Sequence, residues 1–332
     1  MAIVLMAGSA NHIQGKQTKE KIVIAHRGAS GYLPEHTLEA KALAYGQGAD
    51  YLEQDVVMTK DDVLVVLHDH HLDTTTDVAE VYPDRHRQDG RYYVIDFTLA
   101  EIKQLQVTER IDLSTGQTVY KDRFPPGKSR FEVATLREEI EFIQGLNQST
   151  GERVGIYPEI KSPDFHESEG KDIAAAMIAL LGEYGYKSRD DNCFVQCFHP
   201  ETLQRIRNEI GSDLSLVQLI GGTQWRQMVG QSSDRAEDVM REISEFADGI
   251  GPDMNLIISG VGKSGKPEIS DMVALAHTYD LVVHPYTLRK DAMPEWTKNY
   301  KQLLEWFYFQ ADVDGVFTDF PDIAVELLSG AQ

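Results

Sequence analysis

Ile22-Val23-Ile24-Ala25-His26-Arg27-Gly28-Ala29-Ser30-Gly31 holds a strand and the turn that ends it. Ile22 to Ala25 are all aliphatic or small, which predicts a strand buried on both faces and hence a parallel sheet. Gly28 and Gly31 turn the chain directly afterwards. An imidazole, His26, and a permanent cation, Arg27, therefore sit at the carboxyl end of a buried strand. In α/β architectures ligands bind at that end.

The same pattern recurs along the chain. Helical spacing over Glu35–Gln47 follows the first strand, with Leu38, Ala42 and Tyr45 on one side. Apolar runs at Tyr51–Val57 and Val63–Leu67 come next, the second ending at His68. Residues 69–130 break the rhythm: they are polar, rich in Asp, Arg and Tyr, and punctuated by Pro83, Gly90, Gly116, Pro125, Pro126 and Gly127. Tyr82, Tyr92, Tyr93, Ile95 and Phe97 give this stretch material to pack, so it reads as an inserted lobe rather than a linker. From Thr135 the alternation resumes. Helices are expected at Thr135–Leu146 (capped by the pattern Thr135-x-x-Glu138), Gly170–Leu181, Pro200–Ile210, Ala236–Phe246, Met272–Thr278, Tyr300–Phe309 and Ile323–Leu328. The intervening strands are Val154–Ile160, Phe194–Phe198, Leu214–Ile220, Asp248–Ile250, Leu281–His284 and Gly315–Thr318. About eight core strands alternating with helices predict a (β/α)8 TIM barrel with an inserted lobe after the early strands. The competing doubly wound sheet lacks a G-x-G-x-x-G fingerprint after its first strand.

The chain has 332 residues, 42% of them hydrophobic, and a formal charge of −21. That acidity argues against nucleic acid or anionic lipid as a partner. A phosphate substrate then needs a local cationic or metal-centred site. Cys193 and Cys197, the only cysteines, fall i,i+4 in a strand pattern, about 13 Å apart and too far for a disulfide. Met1–Ala10 resembles the end of an export signal, a short apolar stretch closed by small residues. The expected organisation is a residual leader over residues 1–20, cleaved after Ala10, followed by one barrel domain over 21–330 with its insertion at about 69–130. No Cys follows the cleavage site, so a lipid anchor is not expected.

The strand ends carry the chemistry. Glu53 and Asp55 share one face of their strand, about 7 Å apart. Two inward carboxylates in an apolar run are costly without a cation. Pro158-Glu159-Ile160-Lys161 repeats the device, placing Glu159 and Lys161 on one face. Glu53, Asp55 and Glu159 form an all-oxygen set suited to a hard ion, Ca²⁺ or Mg²⁺, rather than zinc. His26 and His68 end the first and third apolar runs, and imidazoles beside such an ion suit a proton acceptor and a proton donor. Arg27 and Lys161 add the positive charge that a phosphate diester requires. Gln196, Phe198, Tyr286, Phe317 and Asp319 also lie at strand ends, where aromatics can enclose a small alcohol headgroup. His36, His70 and His71 lie close to these motifs, and His284 is expected to be structural or at the rim.

At these residues the sequence resembles the glycerophosphodiester phosphodiesterase family, in particular its bacterial periplasmic type. The matching pieces are His26-Arg27-Gly28 with Pro34-Glu35-His36-Thr37, Glu53-x-Asp55, His68-Asp69 followed by Leu72, Pro158-Glu159-x-Lys161, and Thr318-Asp319-Phe320-Pro321. The likeness runs from about Lys21 to Leu328. It implies a (β/α)8 barrel that hydrolyses glycerophosphodiesters, such as glycerophosphocholine and glycerophosphoethanolamine, to sn-glycerol 3-phosphate and an alcohol with Ca²⁺. It implies His26 as acceptor and His68 as donor, Glu53, Asp55 and Glu159 as metal ligands, and Arg27 and Lys161 as phosphate contacts. Many members carry an Arg shortly after the His-Asp-x-x-Leu element, where this chain has Asp73-Thr74-Thr75, so one peripheral contact of the family pattern is missing. The resemblance implies a periplasmic enzyme with no nucleic-acid partner and no stable membrane anchor; self-association is left open. Two other readings use the same fold: a phospholipase-D-like enzyme acting on lysolipids or sphingomyelin, and a binding protein that has lost the chemistry. The polar insert and the absence of an apolar surface run argue against the first, the intact histidines and carboxylates against the second.

Overall fold

Parallel strands and covering helices alternate from residue 22 onward in the computed structural model, which describes residues 21–230 and 234–330. The expected leader lies outside the described residues. The barrel strands are β1 (Ile22–Ala25), β2 (Tyr51–Met58), β3 (Gly155–Ile160), β4 (Phe194–Cys197), β5 (Ser215–Ile220), β6 (Gly249–Pro252), β7 (Val282–Val283) and β8 (Gly315–Thr318). They pair in parallel in the order β7-β6-β5-β4-β3-β2-β1-β8. Between β7 and β8 the ring is nearly closed by backbone hydrogen bonds from Asp314 to Val283, from Phe317 to Pro285 and from Leu288 to Phe317. This is a (β/α)8 barrel. A short antiparallel strand, Leu64–Val66, adds to the end of β2.

Each barrel strand is followed by a helix: α1 (Leu38–Gly46), α2 (Leu136–Thr150), α3 (Ile173–Glu183), α4 (Pro200–Arg205), α5 (Asp234–Ser244), α6 (Met272–Thr278), α7 (Tyr300–Glu305) and α8 (Pro321–Ser329). Their starts follow cap chemistry. Thr37 accepts from the Ala40 amide at the head of α1, so that helix begins at Leu38 and not at Glu35 as the spacing predicts. Glu35 and His36 are left outside it. Thr135 and Glu138 form the expected reciprocal capping box on α2. Asp172 caps α3, moving its start from the expected Gly170 to Ile173. α4 and α7 each run into a π turn, Ile206–Ile210 and Trp306–Gln310. Three short elements carried no usable signal: the helices Pro163–Ser168 and Gly222–Val229, and the hairpin Ile258–Val261 with Pro267–Ile269. The helices are short or polar, and the hairpin lies on the surface.

Alternation along the strands sorts the side chains. Leu52, Val56, Ile156, Ile160, Val195, Leu216 and Val316 face the helices. Ile24, Tyr157, Val217 and Phe317 fill the barrel interior, joined by Tyr51 and Phe194. Tyr157 stacks on Phe194 at 4.9 Å and meets Phe317 edge-on at 5.0 Å. Its hydroxyl lies 3.0 Å from His284 Nδ1, so His284 belongs to this interior plug. The barrel is therefore filled below its carboxyl rim, and only the rim is open to a ligand. Both cysteines are buried and unpaired with each other.

Between Leu67 and Phe131 the chain leaves the barrel and packs as a lobe. Leu72, Val78, Tyr92, Val94, Phe97, Ile102, Leu105 and Val107 form its core and close on Val57 and Val65 of the β2 hairpin. Its secondary structure is sparse: short helices at Val78–Val81 and Leu99–Ile102, and a two-stranded ribbon of Ile111–Asp112 and Gln117–Thr118.

Candidate active site

A cavity of about 180 Å³ opens at the carboxyl rim, lined by His26, Arg27, Glu53, Asp55, His68, Glu159, Lys161, Gln196, Phe198, Tyr286 and Phe317. Every residue singled out from the sequence as catalytic, metal-binding or substrate-binding lies on this one wall. Leu219, Thr287 and Arg289 complete the lining.

The floor is a row of polar groups set by strand register. Asp55 of β2 stands opposite Glu159 of β3, and Glu159 opposite Gln196 of β4. Glu53, two residues before Asp55, points the same way. The three carboxylates are only 2%, 1% and 6% exposed. Burial and mutual repulsion hold Glu53 and Glu159 above the usual carboxylate range, whereas Lys161 and His68 outweigh burial at Asp55 and hold it below. Lys161 Nζ lies 2.7 Å from Glu159 and 3.5 Å from Asp55.

The geometry of the first turn explains how Arg27 reaches this floor. Arg27 has a left-handed φ of 59° and Gly28 one of 83°. That bend costs a non-glycine residue about 1–2 kcal/mol. It aims the Arg27 amide at Glu53 Oε2, 2.5 Å away, and its side chain at Glu35 (2.9 Å) and Asp55 (3.3 Å). A Cβ on Gly28 would come within 2.8 Å of the Ala40 carbonyl carbon, so α1 packs on the turn with no room for a side chain.

His36, Glu53 and Asp55 bring ligand atoms within 4.8 Å of one another. His36 Nε2 is 2.7 Å from Asp55 Oδ2, and Lys41 Nζ is 3.4 Å from its Nδ1. A lysine ammonium only donates, so Nδ1 accepts and Nε2 carries the proton given to Asp55. His36 therefore orients a carboxylate and has no lone pair for a metal. Asp55 Oδ1 and Gln196 Oε1, both buried in the floor, make no hydrogen bond among the described residues. All-oxygen donors, buried and mutually repelling, with oxygens in the same row that accept no hydrogen bond, fit a hard divalent cation.

The two imidazoles are built alike. His26 Nδ1 lies 2.6 Å from Asp319 Oδ1, and His68 Nδ1 lies 2.7 Å from Asp69 Oδ1. Both aspartates are held well below the carboxylate range, so each accepts, the Nδ1 atoms carry the protons, and both Nε2 lone pairs are turned away. Burial and the nearby Arg27 lower His26 to about 3 and His68 to about 4. His26 is nearly covered, while the His68 side chain is 32% exposed. Asp319 Oδ2 also receives Arg289 Nε at 2.8 Å and Arg123 Nη2 at 2.6 Å. Asp69 Oδ2 receives Thr74 Oγ1 and Arg110 Nη1, both at 2.7 Å.

Phe198 and Tyr286 meet edge-on at 5.7 Å on the open side, and Lys161 Nζ sits 5.9 Å above the Phe198 ring. Phe317 is almost fully buried and belongs mainly to the interior plug, presenting an edge to His26 at 6.5 Å. His70 stacks on Phe165 outside the cavity lining. Sequence reasoning missed Arg289, Thr287, Leu219, Arg110 and Arg123. Arg289 could have been found from its place three residues beyond Tyr286; the two lobe arginines lie in a stretch without periodicity.

Residues 26–323 match the model of the glycerophosphoryl diester phosphodiesterase family. The chain is similar to a glycerophosphodiester phosphodiesterase from Haemophilus influenzae, with 46% identity over all of this chain and 97% of the relative. Among solved structures, it superposes on a candidate glycerophosphoryl diester phosphodiesterase from Silicibacter pomeroyi with a TM-score of 0.71 at 24% identity, covering 94% of each chain. It also resembles an Oleispira antarctica phosphodiesterase solved with the product sn-glycerol-3-phosphate, at a TM-score of 0.63 and 20% identity over 93% of this chain and 96% of that one.

Proposed function

Because this chain belongs to the glycerophosphoryl diester phosphodiesterase family and is a glycerophosphodiester phosphodiesterase, we propose that it cleaves small deacylated diesters such as glycerophosphocholine and glycerophosphoethanolamine, using His26 and His68 as acid and base. The observation that carries this reading is that two aspartate-bound imidazoles line one cavity floored by three carboxylates. The products are sn-glycerol 3-phosphate and the headgroup alcohol. A cavity of about 180 Å³ with a polar floor suits such a substrate better than one with an acyl tail.

Glu53, Asp55 and Glu159 would hold a divalent cation, Ca²⁺ or Mg²⁺. When bound, it neutralises charge on the non-bridging phosphate oxygens. Arg27 and Lys161 line the same cavity and bind those oxygens from the side. His26, deep and neutral with its Nδ1 proton fixed on Asp319, takes the proton of the attacking hydroxyl at Nε2. That hydroxyl belongs to water, which gives the monoester directly, or to the substrate's own glycerol, which gives a cyclic glycerol phosphate that a water then opens with the two histidines exchanging roles. His68 lies toward solvent, where a departing headgroup leaves, and protonates the leaving oxygen. To act as acid His68 takes a second proton, on Nε2; burial and the cations Arg27 and Lys161 oppose that proton, and the diester's negative charge, by offsetting the two cations, favours it. Phe198 and Tyr286 enclose the headgroup.

One barrel domain spanning 21–330 with a lobe at about 69–130 is the proposed organisation. The proposed location is the periplasm, supported by the export-like pattern of Met1–Ala10. No helix among the described residues is long and apolar enough to cross a membrane. The test is release of glycerol 3-phosphate from glycerophosphocholine with and without chelator. Turnover that survives both chelation and the His26→Ala and His68→Ala substitutions would overturn the reading.

A further inference from the structure

The inserted lobe sends one arginine to each of the two His–Asp pairs. Arg110 grips Glu35 with two nitrogens, at 2.6 and 3.1 Å, and places Nη1 on Asp69 Oδ2. Arg123 pairs with Asp291 through Nε at 2.7 Å and Nη2 at 3.0 Å, donates to the Ser30 carbonyl at 3.1 Å, and places Nη2 on Asp319 Oδ2. Tyr120 lies flat against the Arg123 guanidinium at 3.6 Å. Both arginine side chains are largely covered, at 16% and 3% exposure. Burying two guanidiniums is costly unless their partners need them, and each is matched to carboxylates from the loops after β1, β7 and β8 or next to His68. In both cases the arginine takes the carboxylate oxygen that the imidazole does not use.

We propose that Arg110 and Arg123 are positioning residues for the hydrolysis: the lobe fixes Asp69 and Asp319, and through them the tautomer and orientation of His68 and His26. This rests on the acid–base assignment above. It also accounts for a departure in the sequence. Where many family members have an Arg shortly after the His-Asp-x-x-Leu element, this chain has Asp73-Thr74-Thr75; here Thr74 supplies a hydroxyl to Asp69, and Arg110 supplies a cation to the same oxygen.

The charged groups around each imidazole define the expected effect. His26 faces Arg27, Arg289 and Asp319, the last shared with Arg123. His68 faces Arg27, Lys161, Asp55 and Asp69, the last shared with Arg110. Neutralising a lobe arginine leaves its aspartate more negative and its imidazole more basic.

The experiment is the pH dependence of kcat and kcat/KM for glycerophosphocholine at fixed saturating Ca²⁺. Arg123→Gln should lower kcat by about 10–100-fold with KM within about threefold, and raise the limb carried by His26 by about half a pH unit or more. Arg110→Gln should do the same to the limb carried by His68. Arg123→Lys and Arg110→Lys keep the charge and lose the fork, so kcat should fall with both limbs near their wild-type positions. Arg87→Gln, which breaks the pairs to Asp96 and Glu169 and removes no partner of either aspartate, should move neither limb. The proposal is overturned if the glutamine variants fold and lose activity with both limbs unmoved, or if the lysine variants shift the limbs as far. Retained activity in His26→Ala and His68→Ala would instead sink the acid–base assignment itself, a different result.

Discussion

Asp319 Oδ1 lies 2.6 Å from His26 Nδ1, although 293 residues separate them along the chain. Closure of the barrel makes the pair, because β8 lies beside β1 with Ala25 opposite Thr318. Asp319→Asn preserves the shape and removes the charge. An amide in that place can offer its NH₂ to Nδ1, which favours the wrong tautomer and puts the proton on Nε2. The expected result is a loss of kcat of about 10²–10⁴-fold with a far-ultraviolet circular dichroism spectrum like that of the wild type. A loss below about threefold would show that the tautomer is not controlled here.

Cation removal should weaken the fold as well as the activity. Glu53, Asp55 and Glu159 repel one another across β2 and β3, so a bound divalent cation stabilises the folded state by about 3 kcal/mol at 100 times its dissociation constant. Thermal unfolding should therefore shift upward on adding Ca²⁺ to chelated protein, and the shift should vanish in Asp55→Asn. An equal shift in that variant would place the cation elsewhere.

Gly28→Ala tests the strained turn. The position has φ 83°, and a Cβ would strike the Ala40 backbone. Strain and overpacking together should cost about 2–4 kcal/mol in urea denaturation. Activity should fall further than stability alone explains, because the same turn aims the Arg27 amide at Glu53.

Glu109, in the lobe next to Arg110, is 3% exposed, and its Oε2 has no hydrogen-bond partner among the described residues. Burial pushes its carboxyl up to about 8. Between about pH 4.5 and 8 the unfolded chain releases this proton and the folded chain keeps it, so stability contributed by this group falls as pH rises through that window. His26 and His68 act in the opposite sense below about pH 6.5, where the unfolded imidazoles protonate and the folded ones do not. Glu109→Gln should thus be more stable than wild type by about 1–3 kcal/mol at pH 8.5 and nearly equal to it at pH 5, as read by urea midpoints at the two pH values. A constant difference between the two pH values would contradict this.

The barrel was legible because its strands are mostly aliphatic: Ile22–Ala25 and Tyr51–Val57 read as apolar runs, the second interrupted by Glu53 and Asp55, whether or not their neighbours are known. Glu53, Asp55 and Glu159 stood out because carboxylates in such runs violate the pattern. Arg110 and Arg123 did not stand out, since arginine in a polar loop is unremarkable by composition. Their partners lie 75 and 196 residues away, at Glu35 and Asp319, and only the folded chain shows that they are buried. The start of α1 was misjudged for a related reason. Glu35 and His36 fit a helical pattern, yet His36 adopts a φ of 61° and turns to Asp55, so site geometry prevailed over local propensity.

The level row of Asp55, Glu159 and Gln196 has a meaning beyond chemistry. Were β3 to slide by a single position, Ile160 would enter the polar mouth and Glu159 would be driven into the aliphatic sleeve beneath α2 and α3. Such a misthreaded barrel would strand a charge in oil. The polar groups proposed to serve hydrolysis would thus also proofread the alignment of the strands, so substitutions at Asp55 and Glu159 should make assembly less selective too.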